Sequence, residues 1–290
     1  MQPDVLFWFY KEFTFCRKRL IHLRKKNPEV KIYALYGGPL SKSSLARSQI
    51  EELVDDFYAY PGPQAPEWKW QYGDHLIASW HRERGRHLPW ETIFVMQWDM
   101  LVLDRLDQIF VDLKPGQILL SGFDRFDAVS DWWPWAKQVE TVGEFRQLLQ
   151  EDFNFHEELL VCLFIVACLP REFLNRYVAT GPPVRGFLEY RVPTMAKLFG
   201  IPFCNSESFQ PWWAANPATP QPPSDRWCLN AVGKNIPLAV ILAELGLTNG
   251  RRIFHPYEKA FPPWLESFGK SKLSSWLFKA AGISHKQKTS

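Results

Sequence analysis

The alternation of short apolar segments with polar, helix-patterned ones over the first hundred residues constrains this chain most. Asp4 to Tyr10 reads as a strand. Thr14 to Lys26 reads as an amphipathic helix with Phe15, Leu20 and Leu23 inward and the basic residues outward, stopped by Asn27-Pro28. Val30 to Tyr36 is a second strand ending at Gly37-Gly38-Pro39, which completes a β-α-β unit and favours a parallel sheet. The pattern repeats through a polar helix from about Ser43 to Val54, a strand from Asp56 to Tyr60, a Pro-rich turn, a helix from about Tyr72 to Arg86 and a further apolar run. The expected architecture is a doubly wound α/β sheet, whose ligands collect outside the carboxyl ends of the strands.

That last run, Glu91 to Leu103, is apolar enough for a strand buried on both faces, and it is interrupted by one carboxylate, Asp99. An acid at such a place is costly unless it has a task or a partner. Asp99 is therefore either a turn or capping residue or a group standing at the lip of a ligand crevice.

Regularity falls away further on. Gln117 to Gly122 looks like a fifth strand, and an acidic, aromatic loop follows from Asp124-Arg-Phe-Asp127 to Asp131-Trp-Trp-Pro-Trp135, as in a site-forming insertion. A helix from about Val142 to Glu151 precedes Leu159 to Leu169, a buried segment that periodicity cannot assign to strand or helix. Pro170 to Tyr177 and Tyr190 to Phe199 read as short helices, Gln210 to Arg226 as an ordered loop or lid, and Lys270 to Ser290 as a basic tail.

Composition narrows the classes. A formal net charge of +3 over 290 residues is too mild to argue for nucleic acid. Five cysteines without metal-ligand spacing favour reduced thiols in a cytoplasmic protein. Leu159 to Leu169, the longest apolar run, falls short of the roughly 20 residues a membrane-spanning helix needs. Fourteen Trp and 22 Phe supply rings that suit either a core or platforms for sugars and bases. Neither a dinucleotide nor a P-loop glycine motif follows the first strand, and no Gly-x-Ser-x-Gly elbow is present.

The β-α-β-α-β order together with the strand ending Gln97-Trp98-Asp99 resembles the GT-A class of nucleotide-sugar glycosyltransferases, in which a strand ends in an Asp-x-Asp motif. Asp99 matches the last position of that motif and Gln97 replaces the first acid. The resemblance implies a GT-A-like, Rossmann-type mixed sheet in a single domain. About 1–122 would form a nucleotide-binding half, about 123–269 an acceptor-binding half, and 270–290 a basic tail. It implies transfer of a sugar from a nucleoside-diphosphate donor to a glycan, lipid or small-molecule acceptor, assisted by Mn2+ or Mg2+, because a departing diphosphate gains charge that a hard cation neutralises.

Asp99 and the late His255 would be the metal ligands. Phe9, Tyr10, Lys11, Tyr36, Gly37, Gln97, Trp98 and Lys259 would line the nucleotide, with Gly38 and Arg252 beside them. Glu189 would serve as base toward the acceptor hydroxyl, and Asp131, among Trp132, Trp133 and Trp135, would bind a sugar. The partners expected are a nucleotide-sugar donor and its acceptor and no nucleic acid, in a cytoplasmic protein whose basic tail leaves room for peripheral membrane contact. Two alternatives stand beside this. A glycoside hydrolase would use a carboxylate pair such as Asp124 and Asp127 or Asp131 and Glu189. A non-catalytic sugar-nucleotide or protein-binding domain would explain Gln97.

Overall fold

A computed structural model describes residues 1–63, 65–206, 209, 228–229, 235–262 and 265. The expected lid, Gln210 to Arg226, and the basic tail lie outside the described residues. In chain order the elements are β1 (Asp4–Phe9), α1 (Phe13–Lys26), β2 (Ile32–Tyr36), α2 (Ser43–Ser48), β3 (Asp56–Ala59), α3 (Pro66–Glu83) and β4 (Thr92–Gln97). There follow β5 (Leu101–Val102), α4 (Leu106–Ile109), β6 (Leu119–Leu120), β7 (Asp124–Arg125), α5 (Phe126–Val129), α6 (Val139–Phe153) and β8 (Leu160–Val161). The described elements end with β9 (Ala167–Pro170), α7 (Arg171–Thr180), α8 (Leu188–Leu198), α9 (Leu238–Leu245) and β10 (Ile253–Phe254).

Six strands form one mixed sheet in the order β3-β2-β1-β4-β9-β6. The first four are parallel, with Val5 opposite Ile32 on one side and Phe94 on the other, so β1 is central and Val5, Leu6, Phe7 and Phe9 are wholly buried. A strand covered on both faces must be apolar throughout, which is why it is legible as a run rather than an alternation. β9 then joins β4 antiparallel, with Thr92 opposite Pro170, and β6 closes the far edge. The expected α/β class is the one found, a mixed sheet with flanking helices.

Several elements differ from expectation for physical reasons. α3 begins at Pro66, not Tyr72, with proline in its first turn where no N–H is needed, and non-helical angles at Tyr72 mark a kink. The segment read as a Pro-rich turn is thus partly helix, and it carries Lys69 toward the sheet. Leu159 to Leu169 is two short strands around a turn at 162–166. That turn is held by Ser121, whose hydroxyl donates to the Leu163 carbonyl at 2.7 Å and accepts the Val166 N–H at 3.0 Å.

Arg19, expected outward with the other basic residues of α1, is 4% exposed. A further polar knot lies between α3, α7 and α8. There Arg191 meets Asp74 at 2.6 Å and 2.7 Å, and Tyr177 donates its hydroxyl to the same carboxylate. A smaller apolar cluster around Leu101, Ile241, Phe254 and Tyr257 packs where β10 pairs antiparallel with β5. Among the described residues no helix is long and apolar enough to cross a membrane.

Candidate functional site

The carboxyl ends of β1, β2 and β4 lie side by side, so the chain following each strand converges on one patch. The N–H of Gly37 bonds the Phe9 carbonyl at 2.8 Å, and that of Trp98 bonds the Trp8 carbonyl at 2.9 Å. Above them Tyr10 packs edge-on against Trp98, the Lys11 ammonium sits 4.4 Å from the centre of the Trp98 ring, and the Lys69 ammonium sits 4.4 Å from that of Tyr10. Lys69 also donates to the Gly37 carbonyl at 2.9 Å and is 4% exposed. Gly37 leaves room for this approach, since a Cβ there would stand 2.8 Å from Leu76 and 3.1 Å from the indole nitrogen of Trp8. Cations near strand ends, over aromatic faces, suit an anionic ligand.

Asp99 lies in the turn after β4, beside this patch. Its Oδ1 is buried without a hydrogen-bond partner among the described residues and lies 3.5 Å from Nε2 of His255. At that separation the two groups attract without closing a hydrogen bond of good geometry. Burial pushes the Asp99 carboxyl up, but the charge and proximity of His255, a backbone N–H and Lys11 outweigh it and hold the group below the usual carboxylate range. His255 is brought there by the β10 strand, for Tyr257 donates its N–H to the Asp99 carbonyl at 2.8 Å. The late histidine and the strand-end acid, 156 positions apart by residue number, thus form one site. Among the described residues no three His, Cys, Asp or Glu side chains gather around one point. Among the described residues a cation would find two protein donors here, one of them a buried oxygen without a hydrogen bond, and would draw the rest of its shell from ligand and water.

The remaining expected residues divide. Gln97 points away from Asp99's task, donating Nε2 to the Phe164 carbonyl at 3.0 Å. An acid there would set a carboxylate against a carbonyl oxygen, which accounts physically for the glutamine. The Phe164 N–H in turn donates to Oε1 of Glu189 at 2.9 Å. Glu189 is buried in the first turn of α8, and burial raises its carboxyl to about 8. The side chains of Phe9 and Tyr36 are wholly buried, Phe9 packing on Phe7, Phe13 and Phe57, and the Tyr36 hydroxyl donates to the Pro39 carbonyl at 3.2 Å. Gly38 adjoins the backbone of Tyr10, whose carbonyl oxygen would lie 2.6 Å from a Cβ there.

Lys259 is exposed, whereas Arg252 donates to the carbonyls of Glu244 and Leu247 at the end of α9. Asp131 is exposed, and of its neighbouring rings Trp133 is 3% exposed against Tyr190 while Trp135 stacks on Phe187 at 4.3 Å. These two rings are packing elements rather than open sugar platforms. Asp124 accepts the Arg125 N–H and Asp127 is exposed. Lys69, Arg19 and Gln97's bond to Phe164 escaped the sequence reading. A lysine between Trp68 and Trp70 becomes a signal only once Pro66 is read as the start of a helix. A cleft of about 390 Å3 at the edge of β3, lined by Arg47, Asp56, Tyr58 and Arg84, contains none of these groups, and Arg84 there is already paired with Asp56.

No protein-family model matches the chain. No curated protein matches it in sequence. Similar solved structures include an active-site mutant of LgtC, 11% identical with a TM-score of 0.42 over 98% of this chain and 97% of that one. A second is the galactosyltransferase LgtC in complex with donor and acceptor sugar analogs, 12% identical with a TM-score of 0.41 over 98% and 97%. A third is mouse xyloside xylosyltransferase 1 in its apo form, 13% identical with a TM-score of 0.33 over 70% of this chain and 78% of that one.

Proposed function

We propose that this chain is a glycosyltransferase that moves a sugar from a nucleoside-diphosphate donor to an acceptor hydroxyl, with a divalent cation, Mn2+ or Mg2+, held between Asp99 and His255. One observation carries the reading: a buried carboxylate oxygen without a hydrogen-bond partner among the described residues, 3.5 Å from an imidazole nitrogen, in the turn beyond the carboxyl end of a central parallel strand. Buried polar atoms are with few exceptions hydrogen-bonded, so an unpartnered carboxylate oxygen calls for an explanation, and a bound cation supplies one. A divalent cation bound there would offset the charge that develops on the diphosphate as the glycosidic bond breaks.

The chain's own residues supply the rest. Lys11 and Lys69, flanking Tyr10, would meet phosphate oxygens as point charges, and Tyr10 and Trp98 would bound the nucleoside. Residues 1 to about 122 would form the nucleotide half in this reading and about 123–269 the acceptor half of a single domain. Glu189, with Oε1 fixed by the Phe164 N–H, holds its proton at neutral pH and becomes a base toward the acceptor hydroxyl above about 8. A rate that climbs toward that pH and is flattened by Glu189→Gln would support this assignment. Asp131, exposed on the acceptor side, would contact a sugar from the rim.

The test is a thermal-stability panel of nucleoside diphosphates and nucleotide sugars with and without Mn2+, on the parent chain and Asp99→Ala. A ligand at 100 times its dissociation constant adds about 2.7 kcal/mol of stability. The expected result is a metal-dependent shift with one nucleotide, lost in Asp99→Ala. Absence of a shift with every nucleotide would overturn the transferase reading.

A further inference from the structure

Arg19 occupies a place that its helix does not explain. On α1 it is 4% exposed, and its guanidinium carbon lies 4.3 Å from the centre of the Phe15 ring and 5.3 Å from that of Tyr257. From there Nη2 donates to the carbonyl of Tyr257 at 2.5 Å and to that of Lys259 at 3.0 Å. Tyr257 is the residue whose N–H bonds the Asp99 carbonyl, and His255, two positions earlier, donates its own N–H to the Cys228 carbonyl at 2.7 Å. The segment bearing His255 is therefore gripped from two sides, by the backbone of Asp99 and by a cation on α1.

A buried guanidinium is an expensive way to fill the space between two rings. Burial lowers Arg19 to about 10, with Tyr257, Asp99 and Cys16 opposing the shift. Methionine would pack there without that penalty. What methionine lacks is the planar set of donors that reaches two carbonyls at once.

We propose that Arg19 is a positioning residue, whose hold on the Tyr257 and Lys259 carbonyls seats His255 against Asp99 so that the two can share a divalent cation. The inference rests on the cation site of the proposed function and adds to it a residue that touches neither ligand nor cation. Partners of this outer kind change metal affinity by roughly 10- to 100-fold when removed.

The experiment measures Mn2+ affinity by water-proton relaxation in the full chain, with Asp99→Ala as the blank, for the parent, Arg19→Met and Arg19→Lys. Hydrogen exchange of the Tyr257 amide is followed alongside that of Phe126, which bonds the Leu159 carbonyl elsewhere in the fold. Arg19→Met is expected to lose about tenfold or more in Mn2+ affinity. It should also speed exchange at Tyr257 and leave Phe126 unchanged, with Arg19→Lys falling between because it keeps the charge but not the fork. Parent-like Mn2+ affinity and Tyr257 exchange in Arg19→Met would overturn the proposal while leaving the cation site standing. A parent chain that binds no Mn2+ would overturn both. Should Arg19→Met not fold, Arg19→Lys decides, and parent-like affinity in that variant counts against the clamp.

Discussion

Two aspartates of this chain face a basic side chain from inside the protein, and they are satisfied to opposite degrees. Asp74 receives the Nε and Nη2 donors of Arg191 and the Tyr177 hydroxyl, and the remaining guanidinium N–H groups go to the carbonyls of Gln71, Arg185 and Gly186. Burial pushes the Asp74 carboxyl up, yet the charge and hydrogen bonds of Arg191 outweigh it and hold it below the usual carboxylate range. Asp99 has a 3.5 Å approach from His255 and one oxygen without a hydrogen bond among the described residues. The first pair leaves nothing for a ligand to add and belongs to the fold. The second keeps bonding capacity in reserve at the end of a sheet strand, where a ligand can use it.

The largest effect that bears on this comparison is the loss of Arg191. Arg191→Met would leave Asp74 as an uncompensated charge among α3, α7 and α8, and breaking a buried pair from one side costs about 3–5 kcal/mol. Urea unfolding measures it. A cost under about 1 kcal/mol would mean that the Asp74 pair is not the structural member of the two.

Next in size is Glu189, a buried carboxyl held by the Phe164 N–H rather than by a basic side chain. Its folded value is raised from 4.5 to about 8, so the folded state holds a proton that the unfolded state releases between those limits. Stability from this group therefore falls as pH rises through that window, with a slope of about 1.4 kcal/mol per pH unit. Glu189→Gln keeps an acceptor for Phe164 and removes the titration. It should gain on the order of 3 kcal/mol over the parent at pH 7 and little at pH 4. Parallel stability curves for the two proteins across that range would show that Glu189 is ionised in the fold.

Gln97 gives a third, smaller step. Gln97→Glu removes the donor to the Phe164 carbonyl and puts an acceptor against it, which should cost about 1–3 kcal/mol in urea unfolding. An unchanged midpoint would mean that the glutamine is not held for this bond, and the lost motif acid would need another explanation.

How much of this was legible depends on whether a residue's task is local. β1, β2 and β4 stand out because strands buried on both faces are apolar runs, and Asp99 because it breaks one. The strands β6 to β9 span two to four residues each, too short to carry a period, so the antiparallel entry of β9 beside β4 and the split of 159–169 could not be read. Asp74 and Arg191 lie 117 positions apart, and nothing near either signals the other. Arg19 was misassigned because a basic residue on a helix is ordinarily solvated, and its partners are backbone carbonyls, to which sequence patterns are blind. His255 was reached only through the resemblance to a family, since a lone histidine carries no pattern of its own.

The smallest expected change in stability is at Asp99, and it separates the pairs most sharply. The Asp99 carboxyl lies below its ordinary value because His255, its own backbone N–H and Lys11 together exceed the desolvation that raises it. Its ionised form therefore stabilises the fold above the unfolded value of 3.8, and this stability fades as pH falls through the lower folded value. Because desolvation cancels much of the attraction, Asp99→Asn at pH 7 should cost no more than about 1 kcal/mol, against several for Arg191→Met. The same substitution should abolish any Mn2+-dependent gain in melting temperature, since an amide oxygen replaces the one anionic donor that Asp99 offers. A fold that barely notices the loss and a ligand response that vanishes is the signature of a group kept for binding. A loss as large as that of Arg191→Met would place Asp99 with Asp74, in the scaffold.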